Sequence, residues 1–364
     1  MHIGVPKEIK DQEYRVGLTP ATVRALSDQG HHVVIETCAG LGSGFSDLHY
    51  ELAGGEIVST AEEVYAQPMV VKVKEPLKSE YALLHKNQIL FTYLHLAANR
   101  ELTEALLDSG AVCIAYETVA LPDGRLPLLT PMSAIAGRLA VQFGARFLEK
   151  QQGGRGVLLG GVPGVPPGRV VILGGGIVGT EAARIAIGMG ARVQILEVNL
   201  DRLQYLEDLF GTRVELLFST RQTIEQVVPQ ADLLVGGVLL TGKKAPQLVS
   251  RDLVSRMIPG SVIVDVAVDQ GGCVETLRPT SHSQPVYIEE GVVHYGVPNM
   301  PGAVPWTATQ ALTNATFPYV MQLAKLGYPA ATNQNPILAK GINVAQGKLV
   351  HPAVQQVFED LVHA

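Results

Sequence analysis

Short apolar runs alternate with longer amphipathic segments along nearly the whole chain. The runs predict strands at residues 3–5, 33–35, 70–73, 89–91 and 112–114, with helical patterns between them. Thr19 and Pro20, followed by a periodic stretch that stops before Gly30, supply an N-cap, a proline at the first helical position and a terminal glycine. Residues 131–150 read as one long helix, and residues 153–168, dense in Gly and Pro and without a period, read as a loop. A second series then begins, with strands expected at 170–173, 193–196, 214–218, 233–235, 262–266 and 292–295. From Thr307 the pattern is helical again through residues 309–326, and this last stretch is expected to have no strands of its own and to return to the first domain.

Alternation of this kind predicts parallel sheets covered by helices on both faces. The fold class expected is α/β: two Rossmann-like, doubly wound domains with a cleft between them, the cofactor domain inserted in the first. The division expected is a substrate domain of residues 1–128 and 306–364 and a dinucleotide domain of residues 129–305, with crossings near 130 and 305 that make a hinge.

The strand 169–173 runs into Gly174-Gly175-Gly176-Ile177-Val178-Gly179 and then into a helical pattern. This is G-x-G-x-x-G in the context that gives it meaning. The first glycine permits the tight turn, the second lets backbone approach a pyrophosphate, and the third lets helix and strand pack closely. Free N–H groups and the helix dipole hold the phosphates. The next strand ends at Glu197, about 20 residues on, where an acidic side chain accepts from ribose hydroxyls and repels a 2′-phosphate. NAD is therefore expected over NADP, with Arg202 a turn further on working slightly against that preference.

Composition narrows the partners. The 364 residues are 47% hydrophobic and 17% charged with a formal net charge of -6, and no run of Lys and Arg makes a local basic footprint, so nucleic acid is not expected. Cys38, Cys113 and Cys273 form neither a disulfide framework nor a zinc pattern and are expected to be small buried hydrophobes, with no metal site. The N-terminus lacks the features of a signal peptide, and no apolar stretch approaches the roughly 20 residues of a membrane helix. A soluble, cytoplasmic protein with no membrane partner is expected.

Candidate chemistry lies beyond the carboxyl ends of the strands, where ligands of open α/β sheets sit. Arg15 follows the first strand, Lys72 and Lys74 flank Val73, and His95 follows the strand 89–91. A guanidinium pairs with a carboxylate through two hydrogen bonds, an ammonium adds a point charge, and an imidazole exchanges protons near neutrality. In the second half, Asp265 lies inside an apolar strand and Asp269 precedes a Gly pair at the expected nicotinamide end. The proline-rich stretch 297–305, too rich in proline for regular structure, places Asn299 and Met300 at the second crossing.

Taken together the chain resembles alanine dehydrogenase. The resemblance is carried by Gly4-Val5-Pro6-Lys7-Glu8, Arg15-Val16-Gly17-Leu18-Thr19-Pro20, Val71-Lys72-Val73-Lys74-Glu75-Pro76, the His95 segment, residues 133–140, Gly160-Gly161-Val162-Pro163-Gly164-Val165, residues 299–305 and Ala311-Leu312-Thr313-Asn314-Ala315-Thr316. It implies that Arg15 and Lys74 bind the carboxylate and carbonyl end of L-alanine or pyruvate, and that His95 and Asp269 are the catalytic pair. It also implies that Ser133, Gly174, Gly176, Ile177, Val178, Gly179, Glu197, Asn299 and Met300 contact the cofactor or close over it. Glu197 stands where many members have Asp, which keeps the charge and lengthens the side chain by one methylene. The family assembles as a homohexamer. The reaction implied is reversible oxidative deamination of L-alanine to pyruvate and ammonium with NAD. Two alternatives share parts of the pattern: the soluble subunit of a nicotinamide nucleotide transhydrogenase, which needs no amino-acid pocket, and a non-catalytic NAD-binding protein. Trp306 has no role in this reading.

Overall fold

The computed structural model describes residues 1–238, 246–268 and 271–362. The chain divides into two compact units, one of Met1–Met132 with Gly302–Ala364 and the other of Ser133–Pro301.

Unit one is built on an eight-stranded sheet. Its strands are β1 (His2–Val5), β2 (His32–Glu36), β3 (Glu56–Val58), β4 (Met69–Val71), β5 (Ile89–Thr92) and β6 (Val112–Ala115) from the first part of the chain, with two more from the last part. The order through these six is β3-β2-β1-β4-β5-β6, all parallel. That is the doubly wound order, which reverses direction between β1 and β4 and opens a crevice there at the carboxyl ends. β4 through β6 are buried along their whole length, as a sheet covered on both faces requires. Thr19 caps the helix Pro20–Ser27 through the backbone N–H of Thr22, and the proline is at its start.

Unit two has a seven-stranded sheet. Its strands are β7 (Arg169–Leu173), β8 (Arg192–Glu197), β9 (Glu215–Phe218), β10 (Leu233–Gly236), β11 (Val262–Asp265), β12 (Val286–Glu289) and β13 (Val292–Tyr295). The order β9-β8-β7-β10-β11-β13 is again doubly wound, and β12 adds an antiparallel edge. The long helix Thr130–Phe147 carries the chain from one unit to the other.

Four expectations need correction. The last stretch does contain strands: β14 (Ile342–Ala345) pairs antiparallel with β6, and β15 (Lys348–Leu349) closes the edge. These strands are two and four residues long, too short to show a period before the partner is known. β3 and β12 escaped prediction for the same reason. Cys38 is exposed and holds a left-handed φ of 61°, whereas Cys113 and Cys273 are buried. The proline-rich crossing forms a short 3-10 turn at Met300–Ala303, and Pro305 opens the 22-residue helix Pro305–Leu326. Trp306, on that helix, is 60% exposed and its indole lies close against Gly44.

No helix among the described residues is long and apolar enough to cross a membrane.

Candidate active site

Three of the predicted side chains gather at the carboxyl ends of adjacent strands in unit one. Arg15 lies in the loop after β1, Lys74 three residues past β4, and His95 three residues past β5.

Arg15 is 2% exposed and is held side-on by Glu13. Its Nε donates to Glu13 Oε1 at 2.7 Å and its Nη2 to Glu13 Oε2 at 2.6 Å, a planar fork against a carboxylate that is itself fully buried. Nη1 donates to Met132 Sδ at 3.0 Å. Burial works against the charge, but the Glu13 hydrogen bonds outweigh it, and the pKa of Arg15 is raised. Glu13, two residues before Arg15, was not singled out in the sequence, because nothing in a polar loop shows that it folds back on its neighbour.

Lys74 is half-buried, and among the described residues no hydrogen bond or ion pair to its ammonium is seen. Burial and the neighbouring Arg15 charge hold its pKa below the ordinary lysine value, against the pull of Glu75. Glu75 itself pairs with Lys10. Lys72, two residues earlier, points the other way: it is fully buried between Glu80 at 2.7 Å and Glu8 at 3.4 Å. Of the two lysines read together in the sequence, only Lys74 is available for a ligand.

His95 occupies the left-handed region at φ 52°, ψ 40°, which histidine enters more readily than most residues but still at a cost of about 1–2 kcal/mol. Glu117, just past β6, holds it there. Its Oε1 accepts from the His95 N–H at 2.6 Å and the Leu94 N–H at 3.2 Å. The imidazole Nδ1 is 3.9 Å from the same oxygen, an ion-pair distance beyond hydrogen-bond reach. The ring stacks on Tyr93 at 5.8 Å between centroids and keeps 45% of its side chain exposed. Tyr93 is fixed in turn by its hydroxyl, which donates to Leu128 O at 2.6 Å, and by an edge contact with Tyr116. Burial raises the Tyr93 pKa, against the opposing Arg15 charge. Neither Tyr93 nor Glu117 was assigned from sequence. Glu117 follows a strand end just as Arg15, Lys74 and His95 do, so the same rule would have found it.

In unit two the glycine loop joins β7 to the helix Ile177–Gly188. Gly174 takes a left-handed φ of 93°. A Cβ on Gly179 would lie 1.9 Å from Gly174 O, so that position is closed to any side chain. A Cβ on Gly176, the exposed N-cap, would meet nothing within 4 Å. One glycine is thus needed by the fold, and the other leaves room in front of the helix N-terminus. This arrangement fits a pyrophosphate held on backbone N–H groups. Ile177 and Val178 form the first helical turn behind it.

Glu197 ends β8 and turns back on the loop. Oε2 accepts from Gly175 N at 2.7 Å, and Oε1 accepts from Val198 N at 2.8 Å and Asn199 N at 3.0 Å. A carboxylate offers about four acceptor sites, so capacity remains for a hydroxyl donor. Arg202 is committed to the loop: Nε donates to Gly175 O at 2.6 Å, Nη2 donates to Thr180 Oγ1 at 2.7 Å, and the guanidinium lies over the Tyr205 ring. It braces the glycine loop. Ser133 lies in the first turn of Thr130–Phe147. Asn299 has a left-handed φ of 59°, and Met300 is buried. Asp265 is buried and accepts from Ala267 N at 3.0 Å and Cys273 N at 2.6 Å, so it ties both ends of the following loop. Asp269 lies outside the described residues.

The glycine loop predicts a first outcome. Gly176→Val should leave the unfolding free energy within about 0.5 kcal/mol of wild type, since its side chain meets open space, yet weaken NADH binding at least tenfold. Gly179→Ala should fail to give a stable fold. Fluorescence titration with NADH beside urea unfolding checks both, and unchanged NADH affinity in Gly176→Val would remove the loop from cofactor binding.

Two doubly wound α/β units, one with a glycine loop of dinucleotide type and the other with paired cations beside an exposed imidazole, define a nucleotide-dependent dehydrogenase. The chain belongs to the alanine dehydrogenase/PNT family: residues 4–136 match its N-terminal domain and residues 140–352 its C-terminal domain. It is 58% identical to an alanine dehydrogenase of Methanococcus maripaludis over 99% of this chain and 97% of that one. It is 53% identical to an alanine dehydrogenase of Halomonas elongata over 98% and 97%. A solved L-alanine dehydrogenase superimposes with a TM-score of 0.97 at 66% identity, covering 99% of this chain and all of that one. A transhydrogenase from Sinorhizobium meliloti shares the fold, with a TM-score of 0.84 at 22% identity over 96% and 100%.

Proposed function

We propose that this chain catalyses the reversible, NAD-dependent oxidative deamination of L-alanine to pyruvate and ammonium. Membership of the family and the alanine dehydrogenases among its relatives support the reaction class. The observation that carries the substrate reading is Lys74, an ammonium half-buried beside Arg15 with no acceptor of its own among the described residues. An unpartnered cation in a partly desolvated site is costly unless an anion completes it. A substrate carboxylate does so.

Arg15, pre-oriented by Glu13, and Lys74 hold the carboxylate and the adjoining oxygen. When bound, NAD supplies a hydride acceptor at C4 of its nicotinamide. Loss of hydride from the alpha carbon of the neutral amine leaves a protonated imine, and water adds to its carbon to give a carbinolamine. His95 would take a proton from that water and return it to the amine nitrogen, with Asp269 assisting. The C–N bond then breaks as the carbinol oxygen becomes the carbonyl of pyruvate and gives its remaining proton to the departing ammonia, which leaves as ammonium. A positioned imidazole in this role contributes about 10²–10⁴ in rate. Gly174, Gly176, Ile177, Val178 and Gly179 would hold the pyrophosphate, Glu197 would hold the ribose, and Ser133, Asn299 and Met300 would complete the cofactor site. The Glu197 carboxylate would meet a 2′-phosphate with like charge, so NAD is preferred over NADP. The working assembly is a homohexamer in the cytoplasm.

Lys74→Met tests the reading. Loss of a charged hydrogen bond costs about 1.5–3 kcal/mol, so KM for pyruvate should rise about 10- to 100-fold with KM for NADH unchanged. The lowered Lys74 pKa sets a pH dependence. The charged form that binds the carboxylate is present below that pKa, so wild-type affinity for pyruvate should fall as pH rises through it, below the ordinary lysine range. The variant should lack this limb. A wild-type pyruvate KM in Lys74→Met would overturn the substrate assignment.

A further inference from the structure

Lys74 lies beyond the end of β4, where the sheet no longer dictates the backbone, yet each backbone polar atom of residues 72–74 has a partner. Lys72 N donates to Phe91 O at 3.1 Å, and Lys72 O accepts from the Tyr116 hydroxyl at 2.9 Å. Val73 O accepts from Tyr93 N at 3.2 Å, and Lys74 O accepts from the Thr92 hydroxyl at 2.8 Å. These bonds all come from the β5 and β6 side. On the other side β1 ends at Val5, and Pro6 has no N–H to continue a ladder. Among the described residues the N–H groups of Val73 and Lys74 have no backbone acceptor. Buried backbone donors require an acceptor. Glu8 supplies it: the same Oε1 accepts from Val73 N at 2.6 Å and Lys74 N at 3.2 Å.

Glu8 is 7% exposed, and its other oxygen is 3.4 Å from the ammonium of Lys72. Lys72 is held from its far side by Glu80, which also accepts from the Tyr65 hydroxyl at 2.8 Å. Glu8 is thus a buried carboxylate kept in place by a buried cation and aimed at backbone. The segment it holds carries Lys74. Through Val73 O to Tyr93 N and Lys74 O to Thr92 Oγ1, that segment is also registered against the segment carrying His95.

We propose that Glu8 is a positioning residue of the substrate site: its carboxylate stands in for the missing strand beside residues 73–74 and so fixes where Lys74 is presented. The inference rests on Lys74 being the substrate cation. Glu8 touches neither substrate nor cofactor in this account. It acts only by removing backbone freedom from the residue that does.

Steady-state kinetics of Glu8→Ala, Glu8→Gln and Thr92→Val test it in the whole protein, with Lys74→Met in parallel. Glu8→Ala should raise KM for pyruvate and L-alanine at least tenfold, with KM for NADH within twofold and kcat changed less than KM. Glu8→Gln keeps an acceptor oxygen for the two N–H groups and should recover most of that loss. Thr92→Val removes the hydroxyl on the opposite face of Lys74 and should raise pyruvate KM severalfold in the same direction. If Glu8→Ala does not fold, Glu8→Gln with a pyruvate KM near wild type and Thr92→Val with a raised one still support the clamp. A wild-type pyruvate KM in Glu8→Ala, a parallel rise in NADH KM, or a wild-type pyruvate KM in Thr92→Val overturns it. Should Lys74→Met itself bind pyruvate normally, the substrate reading has failed instead. If Lys74→Met is impaired and Glu8→Ala is not, only the positioning role is lost.

Discussion

Replacing His95 by asparagine should lower kcat by about 10²–10⁴ in both directions of the reaction, the share a positioned acid–base group supplies. Asparagine is the informative replacement. The backbone at 95 sits at φ 52°, and asparagine tolerates the left-handed region as histidine does. The two N–H bonds to Glu117 therefore survive, and the strand ends keep their places. What disappears is the imidazole, the group assigned the proton transfer. NADH binding, measured by fluorescence titration, should be unchanged, because the glycine loop and Glu197 are on the other unit. Glu117→Gln is the companion variant. It retains an oxygen for the Leu94 and His95 N–H groups and should cost far less than His95→Asn. Turnover within tenfold of wild type in His95→Asn would exclude His95 as the proton carrier.

Arg15→Met should destabilise the protein by about 3–5 kcal/mol, because it strips the bidentate partner from a carboxylate with no exposed side-chain surface. Against a typical stability of about 5–15 kcal/mol this is a large fraction. Glu13→Leu alone should also destabilise, since it removes the two hydrogen bonds that the buried guanidinium makes to this carboxylate. The double variant Glu13→Leu/Arg15→Met should regain much of the loss, as a buried ion pair replaced by apolar groups of similar size is often neutral. It should not regain activity. Shifts in urea midpoint for the three variants measure the coupling. Two single effects under about 1 kcal/mol that simply add would show the Glu13 fork to be energetically idle. The same comparison separates two jobs of one side chain. Stability follows the Arg15–Glu13 pair, while pyruvate affinity follows the cation that Glu13 orients. Lys74→Met, which has no such partner to strand, should lose affinity without losing stability.

These expectations depend on features of unequal visibility in the sequence. The β7–glycine loop–helix unit could be read directly, because strand, turn and helix are consecutive and every constraint is local. A left-handed turn at Gly174 and a Cβ-free contact at Gly179 act within a few residues of each other. Arg15, Lys74 and His95 were legible for a different reason. Parallel strands deliver their carboxyl ends to one edge, so polar residues just past such ends become neighbours whatever their separation in the chain.

What governs those side chains was not legible. Nothing near Lys72 and Lys74 says that one is locked between Glu8 and Glu80 and the other is not, because the partners arrive from the loop after β1 and from a turn past β4. Glu117 reaches His95 only after β6 is laid beside β5. The strands β14 and β15 exist only as pairs, since runs of two to four residues have no period: β14 gains its hydrogen bonds from β6, more than 200 residues earlier, and β15 then adds to β14. Sequence alone determined the kind of fold, the glycine loop, and which cations and imidazole meet at a sheet edge, because local geometry and strand direction decide those. The tertiary structure decided which of them are pinned, which are open and by what, because hydrogen-bond and charge partners distant in the chain are chosen only when the sheet closes around them.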